Sequence, residues 1–130
     1  MKSYTRVAAA VIEKNGRILI GRRKAGYHED KWEFPGGKIE TDETAEECLR
    51  RELREELGID AKVGQFIASS KFVYSHASIE LLAYEAEIVS GELSLKDHKE
   101  IRWVSREHLK SYDFPEADWP IIEKIVSSRG

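Results

Sequence analysis

The sequence predicts an α/β fold in which a mixed β-sheet carries helices on both faces. Three observations support this prediction. Two apolar, strand-like segments flank Asn15-Gly16, which is the strongest short signal for a β-hairpin. A charged helix with one apolar side follows between Gly37 and Ile59, where hydrophobic positions recur at helical spacing. Further strand-like segments and a second amphipathic helix, Trp119 to Val126, occupy the rest of the chain.

Length and composition indicate one globular domain over residues 1–130. The chain is 41% hydrophobic and 35% charged, which is typical of soluble folded proteins. Its net charge of −3 gives no support for binding a nucleic-acid polymer or a membrane surface. Cys48 is the only cysteine, so it excludes an internal disulfide and a cysteine-based zinc site. With neither a signal-peptide pattern nor an apolar run of membrane-spanning length, we expect a cytoplasmic protein.

The first third of the chain is predicted to be mainly β-structure. A buried strand over Thr5 to Glu13 pairs, through the hairpin turn, with a strand over Arg17 to Arg23. Lys24 to Lys31 is a polar loop, and Trp32 to Lys38 is a short strand that ends in a sharp turn. The adjacent glycines of that turn permit backbone conformations and close approaches that a Cβ atom would block.

Helix-capping residues and hydrophobic periodicity predict the central helix and the elements of the C-terminal half. Thr41 or Asp42 is the expected N-cap, Glu43 the first-turn acid, and Gly58 the C-terminal stop. The remaining predicted elements are strands over Ala61 to Phe72, Ala77 to Val89 and Ile101 to Val104, a short helix from Ser105 to Lys110, a loop over Tyr112 to Asp118, and the final helix with Pro120 in its first turn.

The acids of the central helix are not placed as on an ordinary solvated face. At about 100° per residue, Glu52 and Glu56 project into the apolar stripe, with Glu55 on its shoulder. Ionised carboxylates turned toward the protein body are costly unless a positive charge meets them. Because Glu52 and Glu56 are i,i+4 neighbours, their oxygens can converge on one hard cation such as Mg²⁺ or Mn²⁺. The alternative interpretation is an acidic surface helix held by Glu–Arg pairs.

The spacing of these residues resembles the Nudix box. Gly37, five residues, Glu43, seven residues, Arg51-Glu52-Leu53, one residue, Glu55-Glu56, one residue and Gly58-Ile59 match that pattern at every defined position. The resemblance implies an α/β/α sandwich and the hydrolysis of a nucleoside diphosphate linked to another group. It also implies metal binding by Glu52, Glu55, Glu56 and the Gly37 carbonyl, with Mg²⁺ as the cofactor and Mn²⁺ as a possible substitute.

The same resemblance assigns catalytic roles and further site residues. Glu52 is the leading candidate for the base, Arg51 orients the carboxylates, and Glu55 completes the catalytic set. Counting back from Trp103 places an additional metal ligand at Asp97, with Glu100 as the alternative. For phosphate binding the candidates are Arg22, Arg23 and Lys38, of which Arg22 matches the family position better; solvated surface charge is the alternative for each.

Two segments resemble the MutT-like branch of the family, the nucleoside triphosphate pyrophosphohydrolases. They are WEFPGGKIE and the run Phe114-Pro115-Glu116-Ala117-Asp118-Trp119-Pro120. By this resemblance Asp118 contacts the base edge and Phe34 lies near its ring, although helix capping and core packing are equally simple interpretations. An ionised aspartate only accepts hydrogen bonds, so it suits a base that presents an amino or imino donor. Cytosine and an oxidised purine both qualify.

The expected reaction is Mg²⁺-dependent cleavage of a (deoxy)nucleoside triphosphate to the monophosphate and pyrophosphate, with 8-oxo-dGTP as an example of an oxidised substrate. The alternative is a CTP, dCTP or 5-methyl-dCTP pyrophosphohydrolase. Tyr74 keeps open a dinucleoside polyphosphate hydrolase. An ADP-ribose hydrolase is weakened because no proline occurs between Pro35 and Pro115, and a non-catalytic nucleotide-binding module because every box glutamate is present. We expect a monomer, with a dimer possible.

Overall fold

One mixed sheet with an α-helix on each face organises the chain, as seen in a computed structural model that describes residues 3–128. The predicted domain of residues 1–130 therefore includes two residues at each end that lie outside the described residues. The elements in chain order are β1 (Thr5–Lys14), β2 (Arg17–Arg23), β3 (Trp32–Glu33), β4 (Gly36–Lys38), α1 (Ala45–Leu57), β5 (Ile59–Val73), β6 (Ser78–Gly91), β7 (His98–Ser105) and α2 (Trp119–Ser127). Two 3₁₀ helices, Arg106–Ser111 and Glu116–Asp118, precede α2.

The sheet is mixed because β1 and β6 run parallel whereas the other strand pairs are antiparallel. The main path is β3-β2-β1-β6-β5, with β4 paired to β1 and β7 paired to β2. The predicted hairpin is confirmed: Asn15 and Gly16 both have positive φ, 53° and 77°. This is the backbone twist that a two-residue hairpin turn requires.

Strand β1 is buried on both sides, which explains its run of small and aliphatic residues. Ala8, Ala10 and Ile12 pack with the apolar face of α1, whereas Ala9 and Val11 pack with α2. Because successive side chains of a strand point to opposite faces, this alternation places the two helices on opposite sides of the sheet. The predicted α/β fold is confirmed.

Helix α1 begins three residues later than the sequence suggested. Its N-cap is Thr44, whose hydroxyl accepts from the Glu47 N–H, while the Glu47 carboxylate accepts from the Thr44 N–H. The expectation of Thr41 or Asp42 as the cap is therefore wrong, because this reciprocal capping box satisfies two backbone donors at once. The predicted stop is confirmed, since Gly58 caps the helix in the left-handed conformation at φ 71°.

The other differences are small extensions of predicted elements. Strands β5 and β6 continue past their predicted ends, so the expected turn at Ser90-Gly91 is part of β6. Ser105 makes no side-chain cap, and the helix that follows is 3₁₀. Over residues 3–128, none of the helices has the length and apolar character needed to span a membrane.

Candidate active site

Three acids of α1 lie beside the turn formed by Gly36 and Gly37. The Glu56 side chain is buried, and its Oε1 accepts a hydrogen bond from the Gly36 N–H at 3.4 Å. The Glu52 carboxylate packs directly against Gly37, where an added Cβ atom would collide with it. Strand β4 can approach the helix this closely only because Gly37 has no side chain.

Arg51 connects the acids to one another. Its guanidinium donates to both carboxylate oxygens of Glu43, at 2.7 and 2.9 Å, and to Glu52 Oε2 at 3.0 Å. It also reaches the exposed Glu55 at 3.4 Å and the Lys38 carbonyl at 3.2 Å. The bidentate contact lowers the pKa of Glu43 to about 2. Arg51 therefore links Glu43, which precedes the helix, to Glu52 and Glu55 of the helix itself.

Burial disfavours the ionised form of the Glu56 carboxyl. Desolvation raises the pKa of Glu56 to about 9, and the nearby Glu33 and Glu52 carboxylates add to the shift. No positively charged side chain is hydrogen-bonded to Glu56 within residues 3–128. A cation placed between Glu52 and Glu56 would reverse this balance by stabilising both ionised carboxylates.

The donor set fits a hard divalent cation. Every predicted ligand here offers oxygen, as Mg²⁺ requires, and the buried Glu56 has no compensating charge. Within the described residues, no three His, Cys, Asp or Glu side chains are grouped as a metal site. Arg51 contacts both Glu52 and Glu55, and 60% of the Glu55 side chain is exposed.

The remaining predicted ligands and phosphate contacts lie at the periphery. Asp97 is exposed immediately before β7, and Glu100 is held by Arg22 at 3.6 Å and by Arg102 at 2.6 Å. Lys38 is exposed at the end of β4. Asp97 is thus the freer of the two candidate loop acids.

A cleft of about 260 Å³ opens beside these acids. Gly36 and Gly37 form one part of its wall, and Phe34 forms another. The Phe34 ring is 4% exposed and stacks on Phe114, with centroids 5.4 Å apart. Core packing and a position beside the base are therefore compatible for Phe34, because its ring belongs to the core and also faces the cleft.

Asp118 lines the same cleft. It stands at the N-cap of α2, yet its side chain makes no capping hydrogen bond, so capping does not explain it. Burial raises the pKa of Asp118 to about 8, with a further contribution from the Glu33 charge. Burial therefore favours the protonated form of this carboxyl over the ionised form assumed from the sequence. A protonated carboxyl both donates and accepts a hydrogen bond, as an amide does.

The structure separates the two candidate arginines. Arg23 lines the cleft, whereas Arg22 lies on the other side of β2 beside Glu100. A register shift between Arg22 and Arg23 accompanies this divergence. The geometry favours Arg23 over Arg22 for contact with a bound nucleotide, which reverses the order suggested by the sequence.

Several cleft residues were not identified from the sequence. Glu33 contacts Arg23 at 2.5 Å and the buried His98 at 2.8 Å. At the mouth of the cleft, aromatic rings from the loop after β2 meet rings from the β5–β6 hairpin: Tyr27 stacks on His76 at 3.8 Å, and His28 and Tyr74 pack beside them. Among these residues, only Glu33 was marked in the sequence, as a single acid between the aromatic residues Trp32 and Phe34.

Comparison with known proteins agrees with this fold and site. The family model for the NUDIX domain matches residues 2–125. The CTP pyrophosphohydrolase of Escherichia coli (strain K12) is 40% identical over 124 residues, which cover 95% of this chain and 92% of that protein. The 8-oxo-dGTP diphosphatase of the same strain is 35% identical over 126 residues, covering 96% and 98%. The crystal structure of the MutT protein from Methanosarcina mazei Go1 superposes with a TM-score of 0.85 at 28% identity, covering 95% of this chain and 94% of that one.

A mixed sheet with a glutamate-rich helix against a glycine turn defines an enzyme of the phosphoanhydride-hydrolase type. The chain belongs to the NUDIX domain family and is a Nudix hydrolase. The resemblance to the MutT-like branch, noted from the Nudix box and the WEFPGGKIE segment, is confirmed.

Proposed function

We propose that this protein hydrolyses (deoxy)nucleoside triphosphates to the monophosphate and pyrophosphate with Mg²⁺, and that oxidised or otherwise non-standard nucleotides such as 8-oxo-dGTP are its preferred substrates. The observation that carries the proposal is the position of the cleft. Phe34 and Asp118, which suit a base, line the same cavity as Gly36 and Gly37, which contact the acids of α1. A nucleotide whose base occupies the cleft therefore extends its phosphates toward those acids.

The roles we assign follow from charge and position. Glu52, Glu55 and Glu56, with the Gly37 carbonyl and Asp97, would hold the cation. When bound, Mg²⁺ neutralises phosphate oxygens and stabilises the charge that develops during phosphoryl transfer. Glu52 is the candidate base for the attacking water, and Arg51 restrains it. Arg23 and Lys38 are the candidate phosphate contacts, with Arg22 as the less favoured arginine.

The state of Asp118 supports recognition of an oxidised purine. Guanine presents only acceptors, N7 and O6, on its major-groove edge. Oxidation at C8 places a hydrogen on N7, so the edge then offers one donor and one acceptor. A protonated Asp118 matches that pair with its carbonyl and hydroxyl groups. Removal of such nucleotides before they reach a polymerase is the proposed role, which is a DNA-repair function exercised on the nucleotide pool.

A cytosine nucleotide is the second candidate substrate. One observation favours it: the relative with 40% identity is named CTP pyrophosphohydrolase. The cytosine N4 amino group is a donor and its N3 atom an acceptor, so a protonated Asp118 can also pair with this base. CTP, dCTP and 5-methyl-dCTP belong to this alternative.

Other properties follow from the same proposal. A small nucleotide is the expected partner, and the net charge of −3 supports neither a nucleic-acid polymer nor a membrane as a partner. A cytoplasmic location agrees with such a substrate. Residues 1–130 are proposed to act as one domain and as a monomer, with a dimer as the alternative.

The test is hydrolysis with Mg²⁺, followed as pyrophosphate release from 8-oxo-dGTP, dGTP, dCTP, 5-methyl-dCTP and CTP, and as nucleoside monophosphate formation from ADP-ribose and diadenosine tetraphosphate. We expect the largest kcat/KM for 8-oxo-dGTP and a clear preference over dGTP. The Glu52→Gln variant, assayed in parallel, controls for contaminating phosphatases. Preference for the cytosine nucleotides would select the second candidate. If the protein binds nucleotide but hydrolyses no member of the panel, the triphosphatase proposal is refuted.

A further inference from the structure

The buried imidazole of His98 spans strand β2, from β7 on one side to β3 on the other. His98 begins β7 and is only 2% exposed, and its ring lies over Gly21 in β2. A Cβ atom at Gly21 would stand 2.5 Å from His98 Cδ2, so the crossing depends on the missing side chain. On the far side, Nε2 of His98 lies 2.8 Å from Oε2 of Glu33 in β3.

The same carboxylate holds an arginine of the cleft. Oε1 of Glu33 accepts from the Arg23 guanidinium at 2.5 Å, so His98 and Arg23 occupy different oxygens of one side chain. The Arg23 Nε–H donates to the Tyr27 carbonyl at 3.1 Å, which fixes the guanidinium from a second direction. His98 is therefore linked to the cleft through a single side chain.

We propose that His98 is a positioning residue, which fixes Glu33 and thereby holds Arg23 in the orientation that binds the nucleotide, and that Gly21 is required because it provides the space for the imidazole. The proposal rests on the proposed function only for the identity of the ligand. The His98–Glu33–Arg23 chain itself is a property of the fold.

Charge explains why Glu33 needs a fixed position. Its carboxylate contributes to the raised pKa values of both Asp118 and Glu56. If Glu33 were free to rotate, Arg23 would lose the carboxylate that holds its guanidinium in one orientation. Two hydrogen bonds on opposite oxygens restrict the carboxylate to one orientation, and a buried imidazole restrained by the surrounding strand is a rigid donor for one of them.

The first test measures Arg23 directly, without a substrate. In ¹⁵N NMR spectra of the full chain, the Nε–H signal of Arg23 should be sharp and protected from exchange with water. His98→Met, which keeps a similar volume and removes the donor, should broaden or lose that signal. His98→Gln, whose amide can reach the position of Nε2, should retain it. His108→Met is the matched control, because His108 is exposed, is hydrogen-bonded to Ser105 and does not line the cleft.

The second test measures nucleotide binding. We expect His98→Met to raise KM roughly tenfold, as for loss of a hydrogen bond to a charged group, and to change kcat by less than about twofold. His98→Gln should restore KM. Gly21→Ala displaces the imidazole from the opposite direction and should reproduce the defect, but should add little in a His98→Ala background. Comparing Gly21→Ala in the wild-type and His98→Ala backgrounds tests the proposal even if His98→Met folds poorly.

An unchanged Arg23 signal in folded His98→Met would overturn the proposal. Equal losses in the Met and Gln variants would also overturn it, since they would assign His98 to packing alone. If the wild-type enzyme hydrolyses no triphosphate, the proposed function fails, whereas the Arg23 signal still decides whether His98 positions the arginine.

Discussion

Glu52 combines two properties at the residue level: it contacts the glycine turn, and it is restrained by Arg51. Glu52→Gln keeps the shape of the side chain and the acceptor that Arg51 uses, but removes the charge. We expect kcat to fall roughly 10²-fold or more, the usual effect of removing a general base. The melting temperature should be unchanged or higher, because repulsion with Glu56 is relieved.

The control is Glu46→Gln on the same helix, where the side chain is exposed in the first turn. It removes one negative charge without touching the site, so kcat should be unaffected. Near-normal kcat in Glu52→Gln, measured under saturating Mg²⁺, would remove Glu52 from the catalytic set.

Asp118 is the residue whose protonation the sequence did not reveal. With a pKa of about 8 in the folded protein, its carboxyl loses the proton as the pH rises from 7 to 9. Above that pH it can only accept, so recognition of a base through a donor–acceptor pair should weaken. We expect kcat/KM for 8-oxo-dGTP to fall across this range in the wild type and to fall less in Asp118→Asn.

The same shift has a consequence for stability. The folded-state pKa lies above the ordinary aspartate value of 3.8, so the folded protein binds this proton more tightly than the unfolded chain does. The resulting stabilisation is fully present below about pH 4 and is lost as the pH rises toward about 8. Denaturant unfolding of wild type and Asp118→Asn at pH 5, 7 and 9 checks this: the wild type should lose more stability over the range, and parallel curves would exclude a buried titrating Asp118.

At the level of elements, α1 depends on the cap at Thr44, which the sequence marks by the capping-box spacing to Glu47. Thr41, Asp42 and Thr44 are all residue types that cap helices, and only Thr44 makes the reciprocal bonds with Glu47. Thr44→Ala should lower the free energy of unfolding by about 1 kcal/mol. This corresponds to a melting temperature lower by roughly 3–5 °C.

Thr41→Ala is the matched control for the cap, because Thr41 is exposed and lies three residues before the true N-cap. Its unfolding free energy should equal that of the wild type within about 0.5 kcal/mol. Equal losses in the two variants would show that the capping box does not stabilise the helix.

At the level of the whole molecule, metal binding and folding are linked. The proposed ligands come from α1, β4 and the segment before β7, so the site exists only in the folded chain. Mg²⁺ at ten times its dissociation constant should therefore raise the free energy of unfolding by about 1.4 kcal/mol. Thermal melts at matched ionic strength, with and without Mg²⁺, measure this gain.

Glu56→Gln supplies the control for metal linkage. It removes one proposed ligand while keeping the buried volume and the acceptor for the Gly36 N–H. The Mg²⁺-dependent increase in melting temperature should shrink in this variant. An increase of the same size in both proteins would place the cation elsewhere.

Prediction from sequence succeeded where neighbouring residues determine the outcome. The hairpin at Asn15-Gly16 and the helix stop at Gly58 were foreseen because their backbone conformations are intrinsic to those residue types. The contact of Arg51 with Glu55 follows from the i,i+4 spacing of a helix. These features depend on contacts between residues close in the chain.

The long-range contacts of the cleft were not foreseeable in the same way. Neighbouring residues of a strand point to opposite faces, so Arg22 and Arg23 diverge, but which of them faces the cleft depends on how distant elements pack around β2. His98 and Glu33 are separated by 65 residues and meet only because Gly21 opens the space between them. The burial that protonates Asp118 likewise comes from elements far away in the chain.

The sequence by itself therefore determined the family, the order of strands and helices and the carboxylate-bearing helix, because residue spacing encodes local periodicity and backbone preference. Only the tertiary structure decided which side chains share the cleft and in what charge state. Those outcomes depend on strand register and on burial, which arise when distant segments pack and water is excluded.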